Sequence, residues 1–197
     1  MCHLELFHVS VFAAVILSWL AFAAAFLFRT RPPRTAAVRS TTQYLPGLIL
    51  QAVGFAAVWN WRRQLLTHIV ELPFAIEIAL AVFTVVLAFV SAGFTISAIR
   101  VLGKQWAVFA QLVEDHALIT TGPYSVVRHP IYTGLFGLLI ATGLSMSTWQ
   151  GLVLGVAFFA AGTVLRLRSE ERLLAETFGE TFQEYRKRVP SFLPFIG

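Results

Sequence analysis

Apolar residues fall along this chain in long blocks separated by short polar clusters. The first block, Val9 to Phe28, is twenty residues long, enough for a helix to cross about 30 Å of hydrocarbon. It predicts a span over roughly Phe7 to Phe28. Arg29-Thr-Arg31-Pro-Pro-Arg34 ends it, with Arg39 just beyond; paired prolines and four arginines cannot continue a lipid-facing helix. A second span is expected at about Tyr44 to Trp61, aromatic at both ends and closed by Arg62 and Arg63. After a link containing His68 and Glu71, Pro73 opens a third, about Phe74 to Ile99. Glu77, Thr84, Ser91, Thr95 and Ser97 make part of its surface polar, and Arg100 and Lys104 end it.

An amphipathic stretch, Val101 to Arg128, leads to two more apolar runs, Ile131 to Met146 and Trp149 to Leu165. Only Ser147 and Thr148 separate them, so a tight antiparallel helical hairpin is expected. Gly151 and Gly155 have a spacing that permits close helix approach; chance produces the same spacing in a glycine-rich span. From Arg166 the chain becomes highly charged, yet Leu174, Phe178, Phe182 and Tyr185 recur at helical spacing. They predict an amphipathic helix, lying on the bilayer or leading Phe192-Leu-Pro-Phe-Ile196 back onto the bundle as a plug. The pattern therefore predicts an all-α integral membrane protein of about five transmembrane helices with a C-terminal amphipathic helix. Residues 1–100 are expected to form a three-helix anchor and residues 101–197 the functional half of one integrated membrane domain.

Composition agrees. Apolar residues make up 57% and charged ones 13%, against about 25% charged in an average soluble domain, and the mean hydropathy is +0.74. The net charge of +5 sits at the ends of apolar runs instead of forming a stripe, which argues against a nucleic-acid partner. A single cysteine, Cys2, excludes an internal disulfide and a cysteine metal cluster. The first eight residues hold no Lys or Arg, so a retained span is expected and not a cleaved signal. Five spans with the N-terminus outside put thirteen of the fifteen Lys and Arg on one side, which the positive-inside rule makes cytoplasmic. The segment before the hairpin and the charged tail then face the same compartment.

That segment, His116 to Tyr132, gathers two histidines, an arginine, two tyrosines and two prolines at the mouth of an apolar protein. In Arg128-His129-Pro130 the proline disfavours helix at His129 and suits the first turn of the next helix. The imidazole, nearby backbone N–H groups and the helix dipole are then expected to favour an anion, with Tyr132 one turn on. A proline-capped span with interfacial His and Tyr is the plainer alternative. The backbone of His116 to Ile119 offers peptide groups to a ligand, and Gly122-Pro123 turns Tyr124 back toward them. A metal site joining His116, His129 and an acid matches no ligand spacing. Arg166 and Glu170 stand four apart where the fifth span ends. As a plain ion pair they contribute only about 0.3–0.5 kcal/mol; an arginine there also suits an anionic substrate, and Glu170 a cationic or hydroxylated one. Dinucleotide, Walker, H-E-x-x-H and G-x-S-x-G motifs are absent from the sequence.

Gly122-Pro-Tyr124, Arg128-His-Pro-x-Tyr132, Glu170-Glu171, Phe178-Gly179, Tyr185 and Val189-Pro-x-x-x-Pro-Phe-Ile196 occur in that order. In this the chain resembles the isoprenylcysteine carboxyl methyltransferases, as a short, prokaryotic-type member, over about His116 to Ile196. The resemblance implies a membrane enzyme of five or more spans that uses S-adenosylmethionine without a Rossmann domain, its cofactor pocket facing the cytoplasm. It puts cofactor contacts on His116, Ala117, Leu118, Ile119, Tyr124, His129, Pro130, Ile131, Tyr132 and Glu170, with Gln111 as another. Arg166 would meet the substrate carboxylate, making a lipophilic small molecule or prenylated peptide the partner and leaving no role for a metal. A carboxylate with a pKa near 4 is already ionised and needs no general base. The rival readings are a phospholipid or small-amine N-methyltransferase, a thiol S-methyltransferase and a non-catalytic membrane scaffold. Arg166 would repel an ammonium substrate.

Overall fold

A computed structural model describes residues 2–28, 37–40, 44–63, 72–105, 111–113 and 117–193. Among the described residues there are five α-helices: α1 (Cys2–Leu27), α2 (Leu45–Asn60), α3 (Phe74–Leu102), α4 (Pro130–Met146) and α5 (Trp149–Arg188). Three of them, α1, α3 and α5, are long and apolar enough to cross a membrane, and α2 and α4 are shorter apolar helices. Leu20, Val90 and Val153, one on each long helix, are all more than half exposed, as hydrocarbon requires and water does not. The chain is an α-helical membrane protein.

The apolar blocks do not predict a small antiparallel ladder between β1 (Ala37–Ser40) and β2 (Gln111–Val113), with Arg39 opposite Leu112 and Ser40 opposite Gln111. A 3-10 turn, Gly103–Gln105, precedes β2, and a second, Gly122–Ser125, follows it. Gly103 and Gly122 start these turns at φ of 53° and 61°, where a Cβ is unfavourable.

Two helix seams fix the bundle: α2 packs along α5, and α3 along α4, with α1 against α3 and α4. The α2–α5 seam is made of glycine. A Cβ on Gly155 would lie 2.5 Å from Val58 Cγ2 and 2.9 Å from the Gly54 carbonyl, and one on Gly162 2.5 Å from the Gly47 carbonyl. The Gly151–Gly155 spacing is thus a packing device, extended by Gly162. The polar side of α3 is turned inward: Thr84, Ser91 and Thr95 are buried. The Thr84 and Thr95 hydroxyls donate to the carbonyls four residues back, so their burial leaves no unmet donor.

At the α4–α5 hairpin Thr148 caps α5, its Oγ1 accepting from the Gly151 N–H at 3.2 Å. The end of α2 is tied to the same turn through Thr148 N–H to the Trp61 carbonyl (2.8 Å) and Arg63 N–H to the Met146 carbonyl (2.9 Å). Beyond the apolar part, α5 runs on into the charged tail and is kinked at Gly179, where φ 50° and ψ −122° are not helical. Phe182 and Tyr185 are buried, so the tail's apolar stripe faces the protein. Phe192 packs on Phe136 with ring centroids 5.5 Å apart; residues 194–196 of the expected plug lie outside the described residues.

Candidate functional site

Pro130 sits in the first turn of α4 and His129 is its N-cap, at φ −126° and ψ 61°, outside the helical region that a following proline disfavours. The tail holds this corner in place. Arg128 N–H donates to the Pro190 carbonyl (2.8 Å) and His129 N–H to the Ser191 carbonyl (3.0 Å). Thr133 Oγ1 donates to the Phe192 carbonyl and Arg128 Nη1 to that of Val189. Nearby backbone N–H groups are expected, with the imidazole and the helix dipole, to favour an anion here; that of His129 has its partner within the protein. The C-terminal strap takes it, and the N–H groups of Tyr132 and Thr133 return to the His129 carbonyl. The cationic side chains are what this corner presents.

Two adjacent carboxylates on α5 divide those side chains between them. Glu171 Oε1 accepts from Arg128 Nε (3.0 Å), Arg128 Nη2 (2.7 Å) and Ser191 Oγ (3.1 Å), and lies 3.2 Å from His129 Nε2. Glu170 accepts from the Tyr132 hydroxyl, with its Oε2 3.6 Å from His129 Nδ1. Burial opposes charge on His129, but the hydrogen bonds and charges of Glu170 and Glu171 outweigh it and raise its pKa above the ordinary 6.5. Protonated, His129 donates from both ring nitrogens. The buried cluster then holds three cations, Arg128, His129 and Arg166, against two carboxylates.

Arg166 is 7% exposed. Its Nη1 donates to Gln51 Oε1 at 3.0 Å, its Nη2 lies 3.7 Å from Glu170 Oε1, and its guanidinium carbon is 4.8 Å from the Tyr132 ring centre. A planar guanidinium over an aromatic face keeps its charge with little hydration.

These groups form one end of a cavity of about 430 Å³, within the size range of small-molecule sites. Ala117, Leu118, Ile119 and Tyr124 line it from the loop, His129, Pro130, Ile131 and Tyr132 from the start of α4, and Arg166 and Glu170 from α5. Residues 117–120 are in no helix or ladder, and the Ala117 N–H donates to Gln105 Oε1 at 3.0 Å. The backbone of Gln111 is in β2, while His116 lies outside the described residues. Among the described residues no cluster of three or more His, Cys, Asp or Glu gathers as a metal site.

Sequence reasoning passed over three features. One is Gln51, 5% exposed, which joins Arg166 to α2; a lone strongly polar side chain inside the second apolar block was the available signal. Another is the Arg128–Glu171 pair, whose partners are 43 residues apart in sequence. The third is the apolar end of the cavity, walled by Phe22, Phe26, Leu48, Phe55 and Phe159. Phe22, Phe26, Leu48 and Phe55 lie on α1 and α2, helices expected to serve only as anchor, so both halves of the chain line the cavity.

A family model for phospholipid methyltransferases matches residues 76–181. The protein-S-isoprenylcysteine O-methyltransferase of Schizosaccharomyces pombe is 35% identical over 83 residues, which is 42% of this chain and 35% of that protein. Its human counterpart is 40% identical over 88 residues, 42% of this chain and 29% of that one. The cobalt-zinc-cadmium resistance protein CzcN of Cupriavidus metallidurans is 37% identical over 95 residues, 47% of this chain and 43% of the relative. Each match thus spans well under half of the relative's length.

Proposed function

The chain belongs to the phospholipid methyltransferase family, and from that premise we propose that it is an S-adenosylmethionine-dependent methyltransferase that esterifies the carboxylate of a lipophilic, isoprenylcysteine-like substrate. One observation carries the carboxylate assignment. Arg166 is buried at the junction of the polar and apolar ends of a single cavity, where an amphiphile's anionic head and lipid tail would both be accommodated.

The donor set suits the cofactor. Glu170 offers a carboxylate to its ammonium group, and the Tyr132 and Tyr124 rings offer aromatic faces to its cationic sulfur. The backbone at Ala117, Leu118 and Ile119, which line the cavity, offers peptide groups to its base, and the family resemblance adds Gln111 and His116 to the cofactor contacts. Pro130 and Ile131 fill the floor beside His129. Bound, S-adenosylmethionine supplies an electrophilic methyl group on a cationic sulfur. The protein's task is placement. Arg166 pairs with the ionised carboxylate and orients one oxygen. The phenylalanines at the apolar end exclude water, which strengthens that pairing. No side chain has to remove a proton, since the carboxylate is ionised at neutral pH.

In this reading residues 1–100 are more than an anchor, because α1 and α2 wall the tail end, and residues 101–197 supply the cofactor end. The distribution of Lys and Arg favours a cytoplasmic polar end, with the N-terminus on the other side. Amine methylation of a phospholipid is the second reading, which the family match favours, but the substrate nitrogen would have to approach the buried Arg166 cation. The test is turnover by detergent-purified protein with labelled S-adenosylmethionine, offered N-acetyl-S-farnesylcysteine, phosphatidylethanolamine or a short thiol. Label on the farnesylcysteine carboxylate is expected. Label only on lipid amine or thiol would overturn the carboxylate reading, and absence of cofactor binding by calorimetry would overturn the enzyme.

A further inference from the structure

Arg166 is held from α2, a helix outside the stretch matched to the family. We propose that Gln51 is a positioning residue that aims the Arg166 guanidinium at the substrate carboxylate, with Thr163 fixing the amide that does so. The inference rests on Arg166 as the carboxylate's partner.

A glutamine 5% exposed in an otherwise apolar helix is costly unless its amide is bonded. Here both ends are bonded: Oε1 accepts from Arg166 Nη1 at 3.0 Å, and Nε2 donates to Thr163 Oγ1 at 2.9 Å. The reversed amide would set an NH₂ against a guanidinium, donor facing donor. Only one orientation satisfies the pair, so the acceptor is fixed. Thr163 and Arg166 stand three apart on α5 and share a face. The seam presses α2 onto that face so closely that a Cβ on Gly47 would lie 2.6 Å from Arg166 Cγ. The arginine is thus confined at its stem by α2, at its head by Gln51, and on its flat side by the Tyr132 ring 4.8 Å away. A planar fork meets a carboxylate well in few orientations, so this confinement pre-organises it.

The neutral acceptor matters as much as the geometry. A carboxylate at position 51 would compensate the guanidinium charge at short range, and the substrate would then compete with it. Glutamine directs the same N–H and adds no negative charge to that of Glu170, whose Oε1 lies 3.7 Å from Arg166 Nη2. Gln51 and Arg166 both line the cavity, so the bond is made where the substrate head would sit.

The test uses the full chain in detergent, with N-acetyl-S-farnesylcysteine as substrate and its methyl ester as a neutral competitor. Gln51→Leu is expected to raise KM for the carboxylate roughly 10–100-fold, as loss of a bond to a charged group implies. The inhibition constant of the ester and the calorimetric Kd of S-adenosylmethionine should stay within about twofold of wild type. Gln51→Glu should raise KM at least as far, by compensating Arg166. Thr163→Val, nearly isosteric, frees the amide and should give a smaller rise of roughly 3–10-fold. An unchanged carboxylate KM in Gln51→Leu overturns the proposal, and so does an equal rise in all three constants, the mark of a merely structural role. If wild type itself leaves the farnesylcysteine unmethylated, the functional reading falls and this inference with it.

Discussion

Removing the Glu171 carboxylate should release the C-terminal strap from the mouth of the cavity. Glu171→Ala takes away the acceptor of two Arg128 N–H groups, at 3.0 and 2.7 Å, and of the Ser191 hydroxyl at 3.1 Å. The Arg128 side chain, 8% exposed, keeps the Val189 and Arg186 carbonyls but loses its counter-charge. Breaking a buried ion pair from one side costs about 3–5 kcal/mol. Glu171 is itself 15% exposed and Arg128 retains two acceptors, which brings the cost to the low end of that range or just below it, about 2–3 kcal/mol. That corresponds to a roughly 30- to 150-fold rise in the opening constant of the strap. Arg186, Lys187 and Arg188 supply trypsin sites at its root. Limited proteolysis therefore reads the opening directly when reclosure outpaces cleavage, and it avoids the irreversible melting common in detergent. Arg128→Ala and the double variant complete a cycle whose coupling should exceed about 1 kcal/mol. A cleavage rate within twofold of wild type in Glu171→Ala, or coupling below about 0.5 kcal/mol, would refute the account of the strap.

Arg166→Ala should abolish turnover while leaving cofactor affinity intact, and Glu170→Ala should weaken cofactor binding about tenfold or more; calorimetry alongside kinetics checks both, and the reverse pattern would invert the two roles. Gly155→Leu should be among the most damaging substitutions in the bundle, costing roughly 3 kcal/mol or more, because a Cβ there already meets Val58 and the Gly54 carbonyl; loss of monodisperse protein in detergent is the expected readout. The raised pKa of His129, set against burial by Glu170 and Glu171, has a definite sign. The stabilisation from its protonated form is complete below pH 6.5, the ordinary value, and is lost as pH rises through the elevated one. Affinity for a carboxylate analogue should fall over the same rise, with a flatter profile in His129→Gln; equal slopes in the two proteins would exclude His129 as the titrating group.

The helices were legible because the bilayer imposes one length scale on apolar runs. The predicted spans Phe74 to Ile99 and Tyr44 to Trp61 emerge as Phe74–Leu102 and Leu45–Asn60. The β1–β2 ladder was not, since strands of four and three residues show no alternation to read. Around the cavity, sequence reasoning reached the polar residues near the family motif, where a charge in an apolar setting is conspicuous. It did not reach the partner of the His129 N–H, because that acceptor, Ser191, is 62 positions away. Nothing local to His129 signals such a partner.

The tail stripe is the more instructive case. Leu174, Phe182 and Tyr185 line the cavity, yet their spacing would be the same on a helix resting on lipid, since periodicity records which face is apolar and not what covers it. What settles the matter is hydrogen bonding across the stripe. The Tyr185 hydroxyl donates to the Tyr124 carbonyl at 2.6 Å, and the strap that follows binds Arg128 and His129. The charged tail is thus the closing wall of the cavity, and the residues near the family motif acquire their arrangement only when it is in place.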